Sequence, residues 1–313
     1  VIFYVLKRIL ATVPVMAFVA IFVFLLLRLT PGDPAVAIAG DQATEEQLRQ
    51  IRAALSLDQP LLVQFVTWIQ QIVRLDFGKS LISGLPVSEL IAQRLEPTLS
   101  IALVTISMSV LVAVPLGVLT AWKQGSWIDR GAVAFSVLGF SIPVFVIAYM
   151  LIQLFAIDLR WLPVQGFAPL SRGLGPFLSH AILPSVVLSV IYVALIARMT
   201  RAAMLDVIHE DFVRTARAKG CTEPRVLFRH ALRNAAIPIL TVVGTGLALL
   251  ISGVVVTESV FNLPGLGRLT IDAVMARDYP VIQAMILVTS AVYVLINLLI
   301  DLAYSLFDPR IKY

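Results

Sequence analysis

Three observations predict an all-α polytopic membrane protein with six transmembrane helices. Of the 313 residues, 59% are hydrophobic and 14% charged, and the mean hydropathy is +0.94, far from the average of soluble domains. Six apolar runs, near residues 9–27, 99–121, 132–157, 181–197, 237–256 and 281–307, reach the roughly 20 residues that a helix needs to cross a hydrocarbon core about 30 Å thick. Lipid leaves no backbone polar group a partner outside the chain, and the short alternating segments of a β-barrel are missing, so the runs should be helical.

Taken in order, the first run is longer than the apolar region of a secretory signal. It ends at Thr30-Pro31-Gly32-Asp33-Pro34 with no small-x-small cleavage site, so residues 1–29 are expected to stay as the first span. Residues 30–97 form the largest polar insertion. Thr44 and Gln47 make a capping-box pattern ahead of Leu48, Ile51 and Leu55 at helical spacing. Pro60 opens a second helix with Leu61, Leu62, Phe65, Trp68, Ile69 and Ile72 on one stripe. A third, over 86–94, should stop before Pro97. Such helices either cap the bundle or meet a partner. Within the spans, Pro14, Pro115 and Pro143 invite kinks, and Gly117, Gly139, Gly244, Gly246 and Gly253 let helices approach closely.

The net charge of +5 could suggest nucleic acid, but its placement argues for membrane topology. With the N-terminus inside, the inner segments hold Lys7, Arg8, Lys123, Arg130, Arg198, Arg201, Arg310 and Lys312, besides a cluster between spans four and five. The short outer loops hold only Arg160, Arg172, Arg268 and Arg277. Both termini are therefore expected inside. The single cysteine, Cys221, rules out an internal disulfide and falls in an inner loop.

That inner cluster lies in a loop at about 203–233. Glu210 and Asp211 precede Phe212-Val213-Arg214-Thr215-Ala216-Arg217-Ala218-Lys219, acids first and bases last, as the helix dipole favours. Gly220 stands where a helix C-terminus needs a left-handed residue. Thr222 can cap a second helix with Glu223 and Pro224 in its first turn, exposing Arg225, Arg229 and Arg233. The product is a helix–turn–helix platform beside the membrane. On charge alone it could rest on anionic lipid.

The stretch 212–220, with His230-Ala231-Leu232-Arg233-Asn234, resembles the inner loop of membrane subunits of binding-protein-dependent ABC importers, in the dipeptide/oligopeptide permease branch. Ala216 and Gly220 match the general Glu-Ala-Ala-x-x-x-Gly pattern, while Arg214 and Thr215 depart from it in the manner of the peptide branch. Further family-like segments are Thr30–Pro34, Leu57-Asp58-Gln59-Pro60-Leu61, Asp76-Phe77-Gly78-Lys79-Ser80, Pro86-Val87, Trp127-Ile128-Asp129-Arg130, Gly139-Phe140-Ser141-Ile142-Pro143, Pro264-Gly265-Leu266-Gly267-Arg268, Arg277-Asp278-Tyr279-Pro280 and Asp308-Pro309-Arg310. They follow one another along nearly the whole chain.

The resemblance implies a type I ABC importer transmembrane fold, with residues 98–307 as its core and 308–313 as a cytoplasmic tail. It also implies a multi-pass protein of a bacterial or archaeal cell membrane. Its partners would be a second, related permease subunit, two cytoplasmic ATPases that bind the ATP and magnesium, and an extracytoplasmic solute-binding protein. The expected cargo is a di- or oligopeptide, with nickel chelates, opines and short saccharides as alternatives within the class. The coupling residues would be Phe212, Val213, Arg214, Thr215, Ala216, Arg217, Lys219 and Gly220, with Phe212, Val213, Thr215 and Ala216 as the docking face. Glu258, Phe261, Pro264 and Gly265 would lie near an outer gate or serve loop packing. A reading from a different class, an ion-coupled secondary transporter, requires ionisable groups at mid-span and inverted repeats, of which the chain offers little.

No catalytic constellation stands out. Gly78-Lys79-Ser80 ends like a phosphate loop, but position 73, which that loop requires to be glycine, is Val73. Gly139-x-Ser141-x-Pro143 lacks the last glycine of a nucleophile elbow. His180, His209 and His230 fall on different segments without ligand spacing. The chain is therefore expected to be no enzyme and to hold no metal or cofactor of its own. On span six, Asn297, Asp301 and Tyr304 share a face. Asp301 stands alone at depth, which fits an interhelical hydrogen bond better than an ion relay.

Overall fold

The computed structural model describes residues 2–28, 35–36, 44–54 and 57–307. The segments Thr30–Pro34 and Asp308-Pro309-Arg310, together with Lys312, lie outside the described residues. The described residues are mostly helical, joined by turns and by two longer irregular segments at 74–86 and 159–173. Helix α1 (Ile2–Arg28) packs along the last helix, α13 (Tyr279–Phe307). Between them run α2 (Glu45–Ala54), α3 (Leu61–Val73), α4 (Val87–Trp122), α5 (Trp127–Ser141), α6 (Val144–Leu151) and α7 (Leu174–Val207). The remainder are α8 (Asp211–Ala218), α9 (Glu223–Asn234), α10 (Ala236–Gly253), α11 (Val255–Val260) and α12 (Leu266–Met275).

Four helices, α1, α4, α7 and α13, are each long and apolar enough to cross a membrane. Two bent pairs, α5 with α6 and α9 with α10, pass that test only jointly. The run expected at 132–157 is therefore not one straight helix. It turns by 100° at Ile142-Pro143, where Ile142 takes the extended conformation (φ −92°, ψ 124°) that a following proline favours. Beyond Leu151 the chain continues as a wide π-type turn over Ile152–Asp158.

The opposite correction applies at Pro97. A short helix over 86–94 does not end there, because α4 runs through both Pro97 and Pro115 for 36 residues, about 54 Å. Pro97 and Thr98 are buried, and packing holds the helix together despite the missing ladder bond. Helix α7 likewise passes through Pro184. Helices α4 and α7 make the most extensive pairing in the bundle and run parallel, with Val118 and Ala121 beside Ala203 and Met204 at their last turns. They approach closely at Gly117, where a Cβ would lie 2.5 Å from Thr200 Cβ and 2.7 Å from the Ala197 carbonyl oxygen.

The first two helices expected in the insertion at 30–97 form as the sequence suggests. The Thr44 amide donates to Gln47 Oε1 at 2.9 Å and the Gln47 amide to Thr44 Oγ1 at 3.3 Å, a reciprocal cap on α2. The α3 stripe lies on α1 and α13: Trp68, Ile69 and Ile72 pack with Ala20, Val23 and Leu287. The Phe24 ring meets Phe65 and Trp68 at 5.1 and 5.7 Å. This stripe caps the bundle. Asp301, expected to make an interhelical tie rather than part of an ion relay, pairs with Arg8 of α1 at 3.0 Å, and the Tyr304 and Thr241 hydroxyls meet at 2.6 Å. Asp301 and Tyr304 thus tie α13 to other helices, while Asn297 donates to the Tyr293 carbonyl of its own helix at 2.9 Å.

Candidate functional site

The platform between α7 and α10 is a compact two-helix unit. Helix α8 starts after Glu210 and closes at Lys219-Gly220. There Gly220 adopts φ +78°, and the amide of Cys221 reaches back to the Ala216 carbonyl at 3.2 Å. Thr222 stands at the start of α9, but its hydroxyl makes no cap bond; Glu223 and Pro224 fill the first turn. Arg217 donates to both Glu223 carboxylate oxygens, at 2.8 and 3.4 Å, and so bridges the two helices across the turn. The middle of α9 widens to a π-type turn over Val226–Ala231.

What binds the platform to the bundle is apolar. Val213 and Ala216 of α8 join Val226, Leu227 and Ala231 of α9, Met204 and Ile208 at the end of α7, and Val118 and Ala121 of α4 in one buried cluster. Two of the four residues expected on a docking face, Val213 and Ala216, are turned inward. Val213 is fully buried and Ala216 nearly so; both anchor α8 to its own chain. The outward face consists of Phe212, Arg214, Thr215, Ala218 and Lys219, continued on α9 by Arg225, Arg229 and Arg233. Thr215 spends its hydroxyl on the Asp211 carbonyl at 2.8 Å. Beside the platform, α4, α9 and α10 diverge around a cleft of about 550 Å³ lined by Val114, Phe228, Leu232, Arg233 and Ile239.

At the other end of the bundle lies a buried carboxylate. Glu258 of α11 is 2% exposed. It accepts from the Thr98 hydroxyl at 2.7 Å and from the Arg268 amide at 2.8 Å, and the Thr98 oxygen in turn accepts from the Leu266 amide at 2.8 Å. These donors include first-turn amides of α12, which have no intrahelical partner. Glu258 and Thr98 therefore cap α12 from two other helices. Burial pushes the Glu258 carboxyl above the usual carboxylate range, opposed by Thr98, the Arg268 and Gly267 amides and the charge of Arg94.

Of the other residues expected at an outer gate, Phe261 is 2% exposed and its carbonyl accepts from the Gly166 amide at 2.9 Å, fixing the loop after α6. Gly265 is pressed against the Glu258 carboxylate so closely that any Cβ would overlap it. Pro264 alone of the four is exposed. The structure brings Glu258, Phe261 and Gly265 together as a packed joint between α4, α11 and α12.

Sequence reasoning passed over two polar ties. Ser80 and Leu81 of the insertion bond to the buried Asp278 ahead of α13. Asp129, in the first turn of α5, receives Arg201 of α7 in a two-point ion pair at 2.6 and 2.9 Å. Asp129 had appeared only as part of the Trp127–Arg130 motif; no local pattern names a partner 72 positions away. Among the described residues no group of three or more His, Cys, Asp or Glu is placed to hold a metal ion.

Comparison with known proteins agrees with this architecture. Residues 113–313 match the family described as binding-protein-dependent transport system inner membrane component, and residues 1–102 match the N-terminal part of such membrane components. A relative in Sinorhizobium fredii, named a probable peptide ABC transporter permease protein, is 55% identical over 99% of both chains. The glutathione transport system permease protein GsiC of Salmonella choleraesuis is 44% identical over the same shares. Among solved structures, an inward-facing form of the MetNI methionine ABC transporter superposes with a TM-score of 0.58 at 19% identity, covering 70% of this chain and 96% of that one; at that identity the likeness concerns the fold.

Proposed function

The chain belongs to the family of binding-protein-dependent transport system inner membrane components, and on that premise we propose that it forms half of the translocation path of an ATP-driven importer of di- or oligopeptides. The protein is a multi-pass inner-membrane permease subunit. Its working partners in this reading are a second, related permease subunit, two cytoplasmic ATPases that bind ATP and magnesium, and an extracytoplasmic binding protein. Residues 98–307 act as the translocating core, and both termini face the cytoplasm.

The observation that carries the reading is the α8–α9 platform. It is fastened by Val213 and Ala216 to the ends of α4 and α7 while Phe212, Arg214, Thr215 and Lys219 face outward. A lever of this kind can receive motion from a soluble engine and pass it to the bundle without deforming. Arg217 and Gly220 hold its shape. At the far end, the joint built by Glu258, Phe261 and Gly265, with Pro264 beside it, serves the outer gate. Peptide cargo is supported by full-length relatives named for peptides and for glutathione, itself a tripeptide.

Reconstitution tests the proposal. Proteoliposomes carrying this chain with its partner permease, ATPases and binding protein should take up a labelled tripeptide only when ATP is supplied inside the ATPase-facing compartment. Uptake by this chain alone under a proton or sodium gradient would replace the reading with a secondary transporter.

A further inference from the structure

We propose that the Asp129–Arg201 ion pair is a positioning device of the transport cycle, locking the start of α5 to the end of α7 so that displacement of the platform is carried into α5 and α6. The inference rests on the permease reading above and adds the residues that transmit the motion within the subunit.

The geometry is unusually constrained. Asp129 is 5% exposed. Its Oδ1 accepts from Arg201 Nε at 2.6 Å and its Oδ2 from Arg201 Nη2 at 2.9 Å. Oδ2 also accepts from the Gly125 amide at 2.9 Å, and Gly125 holds φ +77° to present it. A carboxylate held by a planar guanidinium fork and a backbone amide cannot rotate about its own bond, and the fork fixes relative orientation as well as distance. Arg198, a turn earlier on α7, adds a second α7–α5 contact with its guanidinium 5.6 Å from the Phe140 ring.

Its place in the fold gives the pair its role. Arg201 lies near the end of α7, beside Ala203 and Met204, which belong to the apolar cluster under the platform. Asp129 opens α5, which runs to the 100° corner at Pro143 and hands over to α6. Helix α6 packs against α11, which carries the buried Glu258. Helix α5 also packs along α7, where a Cβ at Gly139 would lie 3.4 Å from Val190 and 3.6 Å from Ala194. The clamp adds to that packing a fixed orientation at the start of α5, so that the corner follows α7.

The test uses the complete transporter in proteoliposomes, comparing wild type with Asp129→Asn, Arg201→Lys and, in a Cys221→Ser background, the pair Asp129→Cys with Arg201→Cys before and after a short bifunctional thiol reagent. Asp129→Asn and Arg201→Lys should retain co-purifying ATPase subunits and basal ATP hydrolysis within about two-fold of wild type. Peptide taken up per ATP should fall by about ten-fold, as expected for loss of a coupling interaction rather than of the fold. Cross-linking the cysteine pair should restore uptake per ATP. The proposal is overturned if both single variants keep wild-type uptake per ATP, or if assembly, hydrolysis and uptake decline together in every variant. Wild-type vesicles that fail to import peptide with ATP would instead remove the permease reading itself.

Discussion

At the scale of single residues, Glu258 sets two expectations. Burial raises its carboxyl in the folded protein, so the native state holds that proton more tightly than the unfolded chain does. A group with a raised folded value contributes most below the unfolded value, near 4.5, and its contribution is lost as pH rises through the folded value. Glu258→Gln cannot ionise. The melting temperature of wild type relative to Glu258→Gln in detergent should therefore decline as pH is raised from the acid side toward neutrality; a constant difference would mean that the carboxyl titrates as in water. Gly265 gives the second expectation. A Cβ there overlaps the Glu258 carboxylate, so Gly265→Ala should destabilise by about 2 kcal/mol, measured by thermal denaturation. Because the clash is with one side chain, Glu258→Ala and Gly265→Ala together should cost less than the sum of the two.

At the scale of elements, α8 shows how much the sequence could say. Its existence, its polarity and the glycine that ends it were legible from Asp211, Lys219 and Gly220. Which face it presents was not. Phe212 and Val213 are adjacent and both apolar, and only the packing of Met204, Val118 and Leu227 decides that Val213 turns inward. The prolines teach the same lesson. Pro97, Pro115, Pro143 and Pro184 all lie in apolar helical sequence, yet only Pro143 stands at a sharp corner. Neighbouring helices bury Pro97 and Pro184 and hold them in line, whereas Pro115 stays in line although exposed; such neighbours have no local signature. The two faces of α8 predict separable phenotypes. Val213→Ala should lower stability by about 2 kcal/mol and reduce the yield of folded protein. Phe212→Ala should leave thermal stability unchanged and reduce co-purification of the ATPase subunits. Gly220→Val finds no atom within 4 Å of its Cβ, so it fits, but it carries the roughly 1–2 kcal/mol strain of a left-handed conformation; peptide uptake per ATP should drop, with Gly220→Asn milder.

At the scale of the molecule, the ties between helices fix the number of crossings more firmly than length or hydropathy does. Arg8 near the start of α1 meets Asp301 near the end of α13, so the chain enters and leaves the bundle at one end. The last turns of α4, marked by Val118 and Ala121, share a cluster with Ala203 and Met204 at the end of α7; these two long helices therefore run the same way. A chain can follow one with the other only by returning across the bundle, and the α5–α6 pair is the segment that does so. By the same logic α10 starts in that cluster, through Ala235 and Ile239, while α13 starts beside Val87 and Ile91 at the opposite end of α4. Helix α10 must cross as well. Six crossings result, and the platform lies at the same end as the N-terminus. The single Cys221, partly exposed in the platform turn, makes this measurable. In vesicles of known orientation, a membrane-impermeant thiol reagent should label Cys221 and, in a Cys221→Ser background, Lys7→Cys from the same side, and the arginines around the platform argue that this side is the cytoplasm. Labelling of the two positions from opposite sides would require the α5–α6 pair to be a re-entrant loop, and would break the parallel arrangement of α4 and α7 on which the clamp and the lever both depend.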